Sequence, residues 1–265
     1  MLRNVFTKSL WDQRRSLMWW SIGIAALAIL TTLFYPAISE AGDLGKALED
    51  SEALANLFSG GFTDLNSPEG FLNSQLYSLT VPIVFLIFAI SAGSGAIAGE
   101  EERGTLDLLM SSPVTRSEVL VHKFAAMTVA ISVLGAVLWA GVALGAAIVD
   151  MDLSLWRSGQ VVVSGLLLGI VFGACALALG SATGRRGTSI AFASAVAVGT
   201  YFLNALAPLV DALDPLTKLS PFHYYISADP LVNGLDPLHV LVLVTLSLAL
   251  LGIALFTLER RDLAV

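Results

Sequence analysis

Six stretches of this chain are each long and apolar enough to cross a bilayer, and none contains an Asp, Glu, Lys or Arg. They are Trp19–Ile38, Ser78–Ala98, Phe124–Val149, Val161–Thr183, Thr188–Pro208 and Leu238–Leu258. A helix of about 20 apolar residues spans the hydrocarbon. A chain in lipid must satisfy its backbone polar groups internally, which leaves helices as the form for such runs. The expected fold is an all-α membrane protein with six transmembrane helices, residues 19–265 forming one transmembrane domain. Only 13% of the 265 residues are charged, against about 25% in soluble domains. No small-residue cleavage site follows the first run, so it reads as a retained span rather than a signal peptide. The single cysteine, Cys175, lies inside a span and offers no disulfide or thiolate cluster.

The basic residues are distributed unevenly between the connecting segments. Alternating the segments puts Arg3, Lys8, Arg14, Arg15, Arg103, Arg116, Lys123, Arg185, Arg186, Arg260 and Arg261 on one side, and leaves Lys46, Arg157 and Lys218 on the other. Basic residues favour the cytoplasm, so both termini are expected there, N-in and C-in, in a multi-pass plasma-membrane protein. The acids gather in the outer loops, 39–77 and 209–237. The net charge of −7 therefore reflects a solvated outer face and does not point to a nucleic-acid partner. Residues 1–18 read as a cytoplasmic interfacial, or elbow, helix. Leu2, Val5, Phe6, Leu10 and Leu17 share one side, Lys8 and Arg15 project away, and Trp11, Trp19 and Trp20 anchor it at headgroup depth.

Ion-coupled carriers place ionisable groups at depth, and the one titratable ring in these spans, His239, sits at the end of the last of them. The energy for any transport is expected from elsewhere. Small residues recur every fourth position in Ser91–Gly95–Gly99, Gly141–Gly145 and Gly165–Gly169–Gly173. Such ridges mark close helix packing, within one subunit or at a seam between two. Asn204 is the most polar uncharged side chain at depth, a candidate for the substrate path or for a bond to a neighbouring helix. The proline- and aromatic-rich segment 209–237 suits either a dip into the outer interface or a plain loop. His122, His223 and His239 are far apart in sequence and read as interface histidines.

Between the second and third spans lies a charged, proline-broken insert, residues 99–123. Arg103–Ser112 gives a turn of helix with Leu106, Leu109 and Met110 on one face, stopped by Pro113. Thr115 and Glu118 then have the spacing of a capping box, which starts the next helix. The consecutive acids Glu100, Glu101 and Glu102 point in different directions on a helix, make a poor catalytic pair, and read as solvated charge. No Gly-x-x-x-x-Gly-Lys-Ser/Thr loop occurs, so nucleotide phosphates have no cradle of that type here.

The run Glu102-Arg103-Gly104-Thr105-Leu106-Asp107-Leu108-Leu109, followed by Ser112-Pro113-Val114-Thr115-Arg116-Ser117-Glu118 and Lys123, resembles the signature of ABC transporter permeases of the type-2 exporter class. The resemblance extends over the whole chain, down to the basic end Arg260-Arg261-Asp262-Leu263. It implies a permease subunit that works as a homodimer or with a related permease, docked to a separate cytoplasmic ATPase. ATP and Mg would belong to that partner, with no cofactor and no catalytic residue in this chain. It further implies that Glu102, Arg103, Gly104, Thr105, Leu106, Leu109 and Pro113 form the coupling element, and that short helices precede the last span. Gly95, Gly165, Gly169 and Gly173 are the expected packing positions. Apolar spans suit a lipophilic or amphipathic cargo. The alternative is a non-transporting membrane anchor that recruits a cytoplasmic partner through the same insert.

Overall fold

The computed structural model describes residues 5–41, 67–106, 114–210 and 213–261, all of them helix, turn or irregular structure without strands. Ten α-helices follow in order: α1 (Val5–Leu33), α2 (Tyr35–Ala41), α3 (Pro68–Leu72), α4 (Thr80–Ala96), α5 (Ala98–Glu102), α6 (Arg116–Ile148), α7 (Leu155–Thr183), α8 (Arg186–Leu206), α9 (Pro221–Ile226) and α10 (Pro237–Arg260). One π-helical turn, Asn73–Tyr77, joins α3 towards α4, and 3₁₀ turns at Ala207–Leu209 and Asp214–Leu219 lead from α8 to α9. Six helical runs are long and apolar enough to cross a membrane, in the six places the apolar stretches occupy.

The boundaries follow local capping chemistry. Ser67-Pro68, Ser220-Pro221 and Asp236-Pro237 each open a helix, the polar side chain accepting a backbone N–H and the proline occupying the first turn. Thr115 and Glu118 form both halves of a capping box. They start α6 eight residues ahead of the apolar run, so Lys123 lies inside the helix. Gly184 closes α7 in the left-handed region, φ +66°.

One boundary differs from expectation. The interfacial helix expected to end at Met18 and the span expected to begin at Trp19 are one continuous helix, α1. No proline lies within it and its first glycine is Gly23, so nothing interrupts the hydrogen-bond ladder. Its 29 residues reach about 43 Å, longer than a bilayer's hydrocarbon of about 30 Å.

Helix α7 is the axis of the bundle: α4, α6, α8 and α10 all pack on it, while α1 packs chiefly on α6. The glycine ridges set these contacts. A Cβ at Gly165 would meet Val81 and Phe85, one at Gly169 would meet Phe85, and one at Gly173 would meet Met127 and Ala89. At Gly93 a Cβ would fall 2.1 Å from the Gly173 carbonyl oxygen, so the two backbones touch there. The pairs advance together along both helices, so α4 and α7 run parallel. Gly141 and Gly145 likewise face Ala28 and Thr32 of α1. Both ridges are thus covered from within the same chain. A seam between two copies would need them uncovered.

The segment before the last span is built into the bundle. Tyr225 is buried, its hydroxyl donates to the Tyr77 carbonyl, and its own carbonyl accepts from Ser164 at 2.9 Å. Asn73 donates to Asp229 at 2.9 Å, and the Tyr77 and Ser158 hydroxyls are 3.0 Å apart. Phe222 packs on Phe172 and Tyr201. Burial pushes the Tyr225 hydroxyl well above the usual tyrosine range, with the neighbouring Tyr77 adding to it. His223 and His239, remote in sequence, come together here with ring centres 5.8 Å apart.

Candidate functional site

At the other end of the bundle, basic residues of α1, α6 and α8 meet those just past α5 and α10. Arg103, Lys123 and Arg116 of α6, Arg186 of α8 and Arg261 are bonded into one network with α5, and Lys8 of α1 lies beside it. The eleven same-side basic residues of the sequence include all six.

Helix α5 carries the acids, and each one ties it to a different element. Successive residues of a helix project about 100° apart, so three neighbours in sequence can serve three neighbours in space. Glu100 meets the ammonium of Lys123 at 3.0 Å. Glu101 accepts from the guanidinium of Arg261, just past α10. Glu102 accepts the backbone N–H of Arg186 at 2.8 Å, capping the start of α8. The expectation that these acids are solvated is therefore corrected for two of them: the Glu100 and Glu101 side chains are 13% and 15% exposed. A carboxylate that far from water needs a cation or donor, and the basic ends of α6 and α10 provide them. Burial alone raises the Glu100 carboxyl's pKa, but the Thr105 hydroxyl, Lys123 and Arg103 outweigh it and hold it below the usual glutamate range.

The network extends past α5. Arg261 also donates to the Ser181 carbonyl at 3.0 Å, reaching the last turn of α7. Its guanidinium lies so close to Gly184 that a Cβ there would clash at 2.2 Å. The left-handed cap and the arginine's approach both require glycine at that position. Arg116 donates to the Leu258 and Arg261 carbonyls at 3.3 and 3.0 Å, closing the orphan carbonyls at the end of α10. Beneath the charges lies an apolar plug of Ile97, Val119, Leu120, Leu177, Ala178, Ala254 and Leu258, with Leu106 among them.

The expected coupling residues divide accordingly. Leu106 is 2% exposed and faces inward, fastening the insert to the bundle. Thr105 folds back onto Glu100, its N–H donating to the Glu100 carbonyl at 2.9 Å. Gly104 turns the chain at φ +65°. Glu102, Arg103 and Gly104 face outward, and the Arg103 side chain is 63% exposed. Leu109 and Pro113 lie outside the described residues. Asn204 is in the last turn of α8, about 27 Å along the helix from Arg186, so it does not join this cluster. Gly95 meets no helix backbone: its nearest neighbour is the Arg186 side chain, with Nε 3.8 Å from the position of a Cβ.

Three residues of this site escape a reading of the sequence. Arg116, Arg186 and Arg261 count there as topology charges, yet each fastens two elements together. The available signal is arithmetic: three adjacent acids at one helix end, and basic residues at the ends of the spans expected beside it.

The model of the family described as ABC-2 family transporter protein matches residues 3–263. The chain belongs to the ABC-2 family. Among relatives of this ABC-2 protein, one named "Probable ABC transporter permease protein NosY", from Stutzerimonas stutzeri, is 31% identical over 150 residues. The match covers 55% of this chain and 51% of that protein. A protein of the same name from Pseudomonas aeruginosa is 32% identical over 192 residues, covering 71% of this chain and 66% of that protein. The ABC-2 chain thus spans about half to two thirds of the curated relatives it matches. Family membership and the six apolar helices make it a multi-pass membrane protein.

Proposed function

We propose that this chain is the transmembrane permease subunit of an ATP-driven exporter, with the charged end in the cytoplasm and a separate ATP-hydrolysing subunit docked on residues 99–123. The observation that carries the reading is the triple tie of α5. Glu100, Glu101 and Glu102 hold α6, the end of α10 and the start of α8, while Arg103 and Gly104 beside them face outward. A partner that displaces this segment displaces several spans together. The names of the relatives agree with a permease role, and two such chains, identical or related, would enclose the path. The cargo's class follows from the apolar spans only as lipophilic or amphipathic.

The test is co-purification of the chain from its own membranes, followed by an ATPase assay in lipid. An ATP-binding subunit is expected to co-purify, and its hydrolysis to rise when the permease is present. Arg103→Glu is expected to lower that stimulation at least tenfold while the chain stays in the membrane. Absence of an ATP-binding partner overturns the proposal. A partner that binds without any change in hydrolysis supports the recruiting anchor instead.

A further inference from the structure

Beside the charged end, a cleft of about 550 Å³ opens between the first half of α1, the last turns of α4 and the start of α8. Four cations line it, Lys8, Arg103, Lys123 and Arg186, against two acids, Asp12 and Glu100. Lys123 is matched by Glu100 at 3.0 Å, and Arg103 reaches the same carboxylate at 3.6 Å. Among the described residues, Lys8 and Arg186 have no carboxylate within ion-pair distance. Arg186 is the more telling of the two. Its side chain lies along the trough left by Gly95 and Gly99, and one guanidinium nitrogen donates to Ser91 at 3.3 Å. Its Nε is buried with no acceptor. The rest of the guanidinium is partly exposed and carries its charge with no carboxylate paired to it among the described residues, which suits it to an anion entering the cleft.

The floor of the cleft is apolar, made by Trp20 and Phe88. Trp20 is also shared with a second groove of about 260 Å³ that runs down α1 over Gly23, Ile24 and Leu27, facing Val84 of α4. That groove follows about 10 Å of helix. A cationic recess thus adjoins an apolar groove along the bundle's side, with Trp20 at their common edge. One molecule with an anionic head and a hydrocarbon tail satisfies both halves, whereas a free anion leaves the groove empty and a zwitterionic lipid brings its own cation into a recess where four cations already face two acids.

We infer that this cleft binds a glycerophospholipid of net negative charge, its phosphate on Arg186 and Lys8 and one acyl chain along Trp20 to Leu27. Basic recesses between spans attract anionic headgroups by the same charge logic. The site is independent of the proposed ATP coupling. A chain that transports nothing would still hold the lipid.

The test uses the purified full-length protein, stripped of lipid in detergent and titrated with phosphatidylglycerol, phosphatidylcholine or inorganic phosphate under native mass spectrometry. Phosphatidylglycerol is expected to bind at least tenfold more tightly than phosphatidylcholine, and inorganic phosphate not to displace it. The double variant Lys8→Gln/Arg186→Gln is expected to abolish that preference. Its fold is expected to hold because Glu102 keeps the Arg186 backbone N–H and the variant gives up only the side chain's hydrogen bond to Ser91. Arg15→Gln/Arg185→Gln removes the same charge from the same end outside the cleft, and is expected to keep the preference. Phosphatidylglycerol with brominated chains is expected to quench tryptophan fluorescence, and Trp19→Phe/Trp20→Phe to remove most of that quenching. Equal binding of the two lipids, an equal loss in both double variants, displacement by inorganic phosphate, or quenching unchanged in the Trp19/Trp20 variant overturns the assignment.

Discussion

Glu101 and Arg103 are two positions apart and answer to different forces. The Glu101 carboxylate and the Arg261 guanidinium are each less than a fifth exposed, so neither has water to fall back on. Glu101→Gln leaves Arg261 a neutral acceptor in place of a charged one. The expected loss is roughly 1.5–3 kcal/mol, the worth of a charge-assisted hydrogen bond, read from reversible unfolding in detergent. Arg103 is 63% exposed and 3.6 Å from its carboxylate. A contact of that kind contributes about 0–1 kcal/mol, so Arg103→Ala is expected to unfold with the parent protein. The two variants together separate a residue that holds the end in shape from one that is free to meet something else. Neither role is written in the residue types, since both are charges in a five-residue stretch. Burial decides between them, and burial here depends on where α10 ends, about 160 residues later.

Elements were more legible than contacts. Membrane spans depend on a local quantity, the run of apolar residues, so all six appear in the sequence. Their starts shift outward because caps, not apolarity, begin a helix. Capped by Thr115, α6 starts eight residues ahead of the third run, and α3, capped by Ser67, starts ten ahead of the second. The boundary expected at Met18 is missing for the opposite reason. A change from mixed to apolar composition at Met18 is not a break in the backbone, and nothing there stops a helix. Glycine spacing showed that α7 packs tightly but not on what. It also suggested helix packing at Gly95, where an arginine side chain occupies the space. Position within the element decides what each glycine tolerates. Gly93→Ala forces a methyl against the Gly173 carbonyl, and overpacking of that kind costs typically 1–3 kcal/mol. Gly199, on the outer face of α8, has nothing within 4 Å of a Cβ, and Gly199→Ala is expected to be neutral or stabilising by up to about 1 kcal/mol. Unfolding of the two single variants under one condition checks both, and equal stability of the two would contradict the parallel α4–α7 contact.

At the scale of the whole molecule, the two ends are made differently. One is held by ion pairs and arginine-capped carbonyls, the other by the buried polar contacts of Tyr77, Ser164 and Tyr225 around α9. Single cysteines on a Cys175→Ser background test which compartment each end faces. Arg103→Cys and Arg185→Cys are expected to react with an impermeant maleimide only in inside-out vesicles, and Trp156→Cys only in intact cells. Labelling of all three from the same side would overturn the six-span topology. Joined along Val81, Phe85, Ala89 and Gly93 on one side and Gly165, Gly169 and Gly173 on the other, α4 and α7 form a laminated beam, stiff as a glued plank is stiffer than two loose ones. If a partner pushes on its charged end as proposed, the load is expected to reach the far end, where Tyr225 sits buried against Gly165.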